Sequence, residues 1–263
     1  RNAVLGGLAV ALLGVAGLAL AALALREAAG LARLSRLDSI RSEAARALAA
    51  EDRAAAKRVL ARLDRLYAGR SERDGARARV AGRREGQVGP DALLALAERE
   101  DLLPLDLEAR RAAEVAARQV ATATALLPLA LVDVAAALAV NLRMIRRIAE
   151  IYGGRAGALG SWRLMKAVAG HLVATGLVAV GDDLLGPLVG GGALSRISRR
   201  FGEGLVNGAL TARIGVAAME VCRPLPFAAV ARPRARSLVA GALSGFAEAS
   251  RKASIPPDSD NKG

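Results

Sequence analysis

Gly202-Glu-Gly-Leu-Val-Asn-Gly-Ala-Leu-Thr-Ala-Arg-Ile-Gly-Val-Ala-Ala-Met-Glu-Val-Cys222 reads as one apolar helix, stopped by Arg223-Pro224, because proline cannot donate to the next helical bond. Gly204, Gly208 and Ala212 recur every four residues, with Gly215 close after. That spacing makes a flat strip on which another helix can pack closely, either inside a bundle or as a self-association face. The same helix carries Glu203, Asn207, Arg213 and Glu220, polar groups that need partners wherever water is excluded.

The surroundings repeat the pattern. From Asp133 to Phe227 the chain is rich in glycine and alanine. It carries acids at Asp133, Asp182, Asp183, Glu203 and Glu220, and basic clusters at Arg143, Arg146, Arg147 and at Arg196, Arg199, Arg200. Each apolar segment has basic residues on both sides, which the retention of positive charge in the cytoplasm does not allow for a series of crossings. Val120 to Leu142 is long enough to span a bilayer, but Asp133 near its middle would cost about 3 kcal/mol or more, and Pro128 should kink or break it. A cytoplasmic helical bundle fits better, with the acids as internal partners of Arg143, Arg196 and Arg199. Leu142 to Tyr152 puts Arg143, Arg146 and Arg147 opposite an apolar face, an arrangement suited to a partner groove or an anionic surface.

Composition supports an all-α protein. Hydrophobic residues make up 53% of the 263 and aromatics 2%, so the core must be built from small aliphatic side chains, and alternating strand patterns are absent. The formal net charge of +13 points to an anionic partner. Nucleic acid is disfavoured, because the aromatics are scattered and form no stacking module; anionic membrane lipid fits better, since the apolar content is high as well.

Ala3 to Leu25 carries no charge and is roughly 34 Å long as a helix, enough for a hydrocarbon core of about 30 Å. It reads as a transmembrane helix rather than a signal peptide or a buried core helix. Arg26, Arg33, Arg36 and Arg41 follow it while Arg1 alone precedes it, which places the rest of the chain in the cytoplasm. The chain opens on Arg rather than Met, so an upstream part is expected. Residues 26–68 carry an apolar stripe from Leu31 to Tyr67, as an amphipathic or coiled-coil-forming helix or an ordinary bundle helix. Residues 69–105 read as a glycine-rich linker and a short helix, with Asp91 as its cap and Asp106 as the cap of a new start after Pro104. Residues 106–230 form the bundle, and 231–263 a basic linker, a short helix and a disordered tail.

Motifs for catalysis are missing. The sequence has no phosphate-cradling Gly-x-x-x-x-Gly-Lys-Ser/Thr and no Gly-x-Ser-x-Gly or His-Glu-x-x-His, so the common nucleotide and hydrolase scaffolds lack their defining residues. Asp182-Asp183 could form a metal or proton site, but neighbours on a helix point about 100° apart, and a cap or ion pair is the simpler role. The single His171 and single Cys222 read as a core histidine and a buried thiol. No cofactor or metal is expected, and no enzymatic activity.

Four ordered motifs resemble a family: Asn141-Leu-Arg-Met-Ile-Arg-Arg-Ile-Ala-Glu-Ile-Tyr-Gly153, Gly181-Asp-Asp-Leu-Leu185, the stretch from Gly202 to Gly215, and Cys222-Arg-Pro-Leu-Pro-Phe227. Together they are similar to the YcjF-like inner-membrane proteins. The resemblance implies an inner-membrane location with a second span upstream, and a helical domain of a kind also fused to Era-like GTPases. It also implies a YcjX-like P-loop NTPase as partner in trans, and no catalytic residues. The expected role is a membrane-anchored, non-enzymatic adaptor able to self-associate. A pore or transporter component lined by intramembrane acids is the alternative.

Overall fold

Helix α1 runs unbroken from Asn2 to Ala49 over 48 residues, roughly 72 Å at about 1.5 Å per residue. The computed structural model describes residues 2–69, 82–84, 86–126, 130–154, 158–175 and 199–253, and every regular element among them is helical. The second half of α1 enters the core through Leu37, Ile40, Ala44 and Ala47. In the first half the described side chains of Val15, Leu18 and Leu25 are 66%, 74% and 72% exposed.

The chain then reverses. Glu51 adopts φ 50°, a left-handed conformation unfavourable for a side chain bearing a Cβ. Asp52 caps α2 (Arg53–Leu66), its carboxylate accepting from the Ala55 amide at 2.9 Å. Helix α2 folds back on α1, and Arg62 bonds Glu43 at 2.6 Å and Ser39 at 2.5 Å. Residues 26–68 are therefore not one long helix but part of a hairpin whose apolar stripe packs on itself: Val59, Leu60, Leu63 and Tyr67 are buried with the α1 residues.

Helix α3 (Pro90–Ala97) passes through a π-helical turn (Glu98–Leu102) directly into α4 (Leu103–Leu126). The cap of α3 is Gly89, with Pro90 at the first turn, a position where its missing N–H costs nothing. Asp91 and Asp106 are thus first-turn acids rather than caps, and Pro104 restarts nothing. The boundary expected at 105/106 falls inside this continuous unit. After residues 127–129 come α5 (Ala130–Ile151), α6 (Ala158–Ala174), α7 (Arg199–Cys222) and α8 (Ala235–Ala253). The apolar run from Val120 to Leu142 is accordingly two helices, with Asp133 in the first turn of the second, where the helix dipole favours an acid.

Helices α4 and α7 form the centre and run antiparallel. A Cβ on Gly204 would lie 2.6 Å from the Ala121 carbonyl oxygen, one on Gly208 3.0 Å from that of Ala117, and one on Gly215 2.6 Å from Ala113 Cβ. The small-residue strip, including fully buried Ala212, is thus spent on packing against α4. Helices α5 and α8 flank both, and α6 lies between α7 and the α1 hairpin. Among the described residues the stretch long and apolar enough to cross a membrane is Gly202–Cys222, with 61% of its window buried inside the bundle. Most side chains of the expected span, Ala3 to Leu25, lie outside the described residues.

Candidate functional site

Arg223 follows the last residue of α7 and is 1% exposed. Its guanidinium grips Asp106 side-on with its Nε–Nη2 edge, Nε donating to Oδ1 at 2.9 Å and Nη2 to Oδ2 at 2.8 Å. Nη1 donates to Glu98 Oε1 at 3.2 Å and to the carbonyls of Leu225 and Pro226 at 2.9 Å each. The Phe227 ring lies over the cation, 4.0 Å from Cζ to its centroid. Planar, forked donors suit this bidentate, enclosed site in a way an ammonium could not.

The acids are equally engaged. Glu98 accepts the amides of Ala228, Ala229 and Val230, the shortest at 2.6 Å. The Tyr152 hydroxyl donates to Asp106 Oδ1 at 2.7 Å, and the Tyr67 hydroxyl donates to the Tyr152 carbonyl at 3.2 Å. Burial, and then the Asp106 charge, push the Tyr152 hydroxyl well above its ordinary range, so it remains a donor. The π turn changes the register between Glu98 and Asp106, and both carboxylates meet one cation. One arginine thereby ties α3, α4, α7 and the segment after α7 together.

Beside this network runs a groove of about 940 Å³ lined by α4, α6, α7 and residues 227–237. Leu103 and Leu107 contribute exposed apolar surface at 37% and 50%. Arg110, Arg213, Arg232, Arg234 and Arg236 also line it. On one wall His171 Nε2 lies 2.5 Å from Glu220 Oε2, and Arg232 pairs with the same carboxylate. Arg41 of α1 donates to the Glu220 carbonyl. Burial, followed by the charges of Arg232 and Arg41, lowers the His171 pKa from its ordinary value.

The residues singled out from the sequence scatter. Glu220 is buried, and its side-chain partners among the described residues are His171 and Arg232, while Arg143 is exposed on α5. Asp133 is half-buried and receives Thr124 Oγ1 at 2.7 Å and Asn207 Nδ2 at 3.5 Å, so neutral donors satisfy it. Glu203, expected among the buried acids, is exposed, because it lies on the face of α7 opposite the glycine strip. Arg213 is half-buried at the groove. Arg143, Arg146 and Arg147 are exposed along α5, and Arg147 reaches Glu108 at 2.8 Å. Arg199 and Arg200 open α7 with side chains outside the described residues; Asp182, Asp183 and Arg196 lie outside them altogether. Cys222 is buried, and burial pushes its thiol up to about 12.

Sequence reasoning missed the Glu98–Arg223–Asp106 network. The available signal was a proline-flanked arginine at a helix end, Arg223-Pro-Leu-Pro226, in which neither proline can donate.

Comparison with known proteins identifies the family. The profile of a domain of unknown function, DUF697, matches residues 90–248, which run from the start of α3 into α8. A UPF0283 membrane protein of Rhizobium etli is 45% identical over 229 residues, covering 87% of this chain and 64% of that protein. One from Rhizobium meliloti is 44% identical over the same length, and one from Mesorhizobium japonicum 42% identical over 243 residues, 67% of its length. The chain spans about 64% of the length of the curated relatives it matches. No solved structure matches it. The chain belongs to the UPF0283 family of bacterial membrane proteins, the YcjF-like proteins, and carries their DUF697 domain.

Proposed function

We propose that this protein is a non-enzymatic adaptor held in the bacterial inner membrane by the first half of α1, with its helical bundle in the cytoplasm. The observation that carries the reading is the division of α1. Its apolar first half presents Val15, Leu18 and Leu25 outward, while its second half is bundle core. Exposed leucine and valine along such a length match a lipid surrounding better than water. Arg26, Arg33 and Arg36 at the exit favour a cytoplasmic bundle. Relatives bearing the name membrane protein support the location.

The adaptor role draws support from how the described polar groups are used. Arg223, Glu98, Asp106 and Glu220 bind one another or backbone and hold helices together. The exposed Arg143, Arg146 and Arg147 face suits anionic lipid or a partner such as a YcjX-like P-loop NTPase.

Topology is the first test. Single cysteines at Val88 and Ser244 in a Cys222→Ser background should react with a membrane-impermeant maleimide in inverted vesicles and stay unlabelled in spheroplasts. Labelling from the periplasmic side would end the adaptor reading and favour a pore. A pull-down in mild detergent, with and without nucleotide, then asks for the NTPase; recovery of none would remove that part of the mechanism.

A further inference from the structure

The groove beside the Arg223 network combines two features that the packing of the bundle does not account for. Its floor keeps Leu103 and Leu107 partly open to solvent, although a buried core lies immediately behind them. Its rim is basic beyond what its own acids neutralise. Arg110 is shared with Glu114 at 2.8 Å, Arg232 is paired with Glu220, and Asp106 is consumed by Arg223. Arg234 and Arg236 remain, exposed, with no ion pair among the described residues. A stripe of apolar surface edged by arginines is complementary to a helix with leucine-like residues at i, i+3, i+4 and i+7 and acids beside them.

We propose that this groove is the docking site for an acidic amphipathic helix of a soluble partner protein. Anionic lipid has the same charge, but distance disfavours it. Arg41, which touches α7 at the groove wall, lies about 24 Å beyond Leu25 along α1 at about 1.5 Å per residue. A headgroup layer is only about 5–8 Å deep, and a tilt of about 40° would still leave the groove outside it. The preference for a protein over a lipid rests on the membrane span proposed above; the charge and apolar floor of the groove do not.

The test uses the full chain in lipid nanodiscs and a fluorescein-labelled peptide with leucines at i, i+3, i+4 and i+7 and glutamates between them. A second peptide has the same composition with the leucines scattered. Fluorescence anisotropy should show the amphipathic peptide bound, and the scattered one bound about tenfold more weakly. The double variant Arg234→Glu/Arg236→Glu should bind the amphipathic peptide about tenfold more weakly, a difference of about 1.4 kcal/mol. Its thermal unfolding should match the wild type. Leu107→Gln should weaken binding without altering the salt dependence, since it removes only apolar contact. Equal binding of both peptides, no binding, or no effect of the double variant overturns the proposal. Displacement of the peptide from detergent-solubilised protein by phosphatidylglycerol vesicles, but not by phosphatidylcholine vesicles, overturns it in favour of a lipid site. A wrong membrane span would appear separately, in the cysteine-labelling pattern, and would leave the peptide affinity unchanged.

Discussion

Arg223 and Asp106 are 117 residues apart in sequence, yet they form a two-pronged ion pair at 2.9 and 2.8 Å in the interior of the bundle. Glu98 shares the cation, so removal of the guanidinium would take the positive charge from two buried carboxylates at once. Arg223→Met is expected to destabilise the chain by about 3–5 kcal/mol. Arg223→Lys should restore only part of that, because an ammonium cannot make the two parallel bonds to Asp106 and also reach Glu98. Denaturant unfolding followed by circular dichroism reads both.

Gly204, Gly208 and Gly215 of α7, which face α4, are predicted to differ sharply from a glycine on an open face. Gly204→Ala places a methyl 2.6 Å from the Ala121 carbonyl oxygen and should separate α4 from α7, at about 1–3 kcal/mol. Gly170 in α6 has nothing within 4 Å of the added carbon, and Gly170→Ala should stabilise by about 0.4–1 kcal/mol. Opposite shifts in melting temperature are the expected result; shifts of one sign would contradict the α4–α7 contact.

His171 makes stability depend on pH. Its folded pKa lies below the ordinary value, through burial first and then Arg232 and Arg41. The unfolded chain therefore takes up a proton more readily than the folded one as pH falls through about 6.5. The contribution of His171 is complete above that pH, declines as the solution acidifies, and levels off below the folded pKa. The melting temperature should fall more steeply between pH 7.5 and 5.5, roughly spanning the unfolded pKa, in the wild type than in His171→Gln.

Cys222 should be inert in the folded protein. Its thiol is buried and pushed up to about 12, so almost no thiolate exists at neutral pH, and thiolate is the reactive form. A disulfide-exchange reagent should fail to modify it until denaturant is added. Prompt modification of the native protein would show that the end of α7 opens.

Much of the helical plan was legible because it rests on local chemistry. Pro224 marks the end of α7, and the stripe from Leu37 to Tyr67 is the core of the α1–α2 hairpin. The reversal at Glu51 was not legible, since Ala50-Glu-Asp52 holds neither glycine nor proline and the left-handed residue is a glutamate. Asp106 reads from the sequence as a cap after Pro104, whereas it lies in the first turn of a helix already under way, and its arginine is 117 residues away. Glu98 was invisible because its partners are mainly backbone amides at residues 228–230, which no side-chain pattern announces. Glu203 and Glu220 look alike in sequence; Glu203 stays exposed near the start of α7, while Glu220 is covered by His171 of α6 and by Arg232.

The continuity of α1 has a mechanical consequence. Because one helix carries the exposed Val15, Leu18 and Leu25 and runs on into the core contacts of Ile40 and Ala44, no break in the helix separates the proposed anchor from the bundle. A torque or tilt applied to the apolar end is delivered to α2, α6 and α7 as a rigid lever would deliver it. In the proposed anchored arrangement the direction in which the basic groove points follows the pose of α1, and a helix docked there as proposed would inherit the same heading.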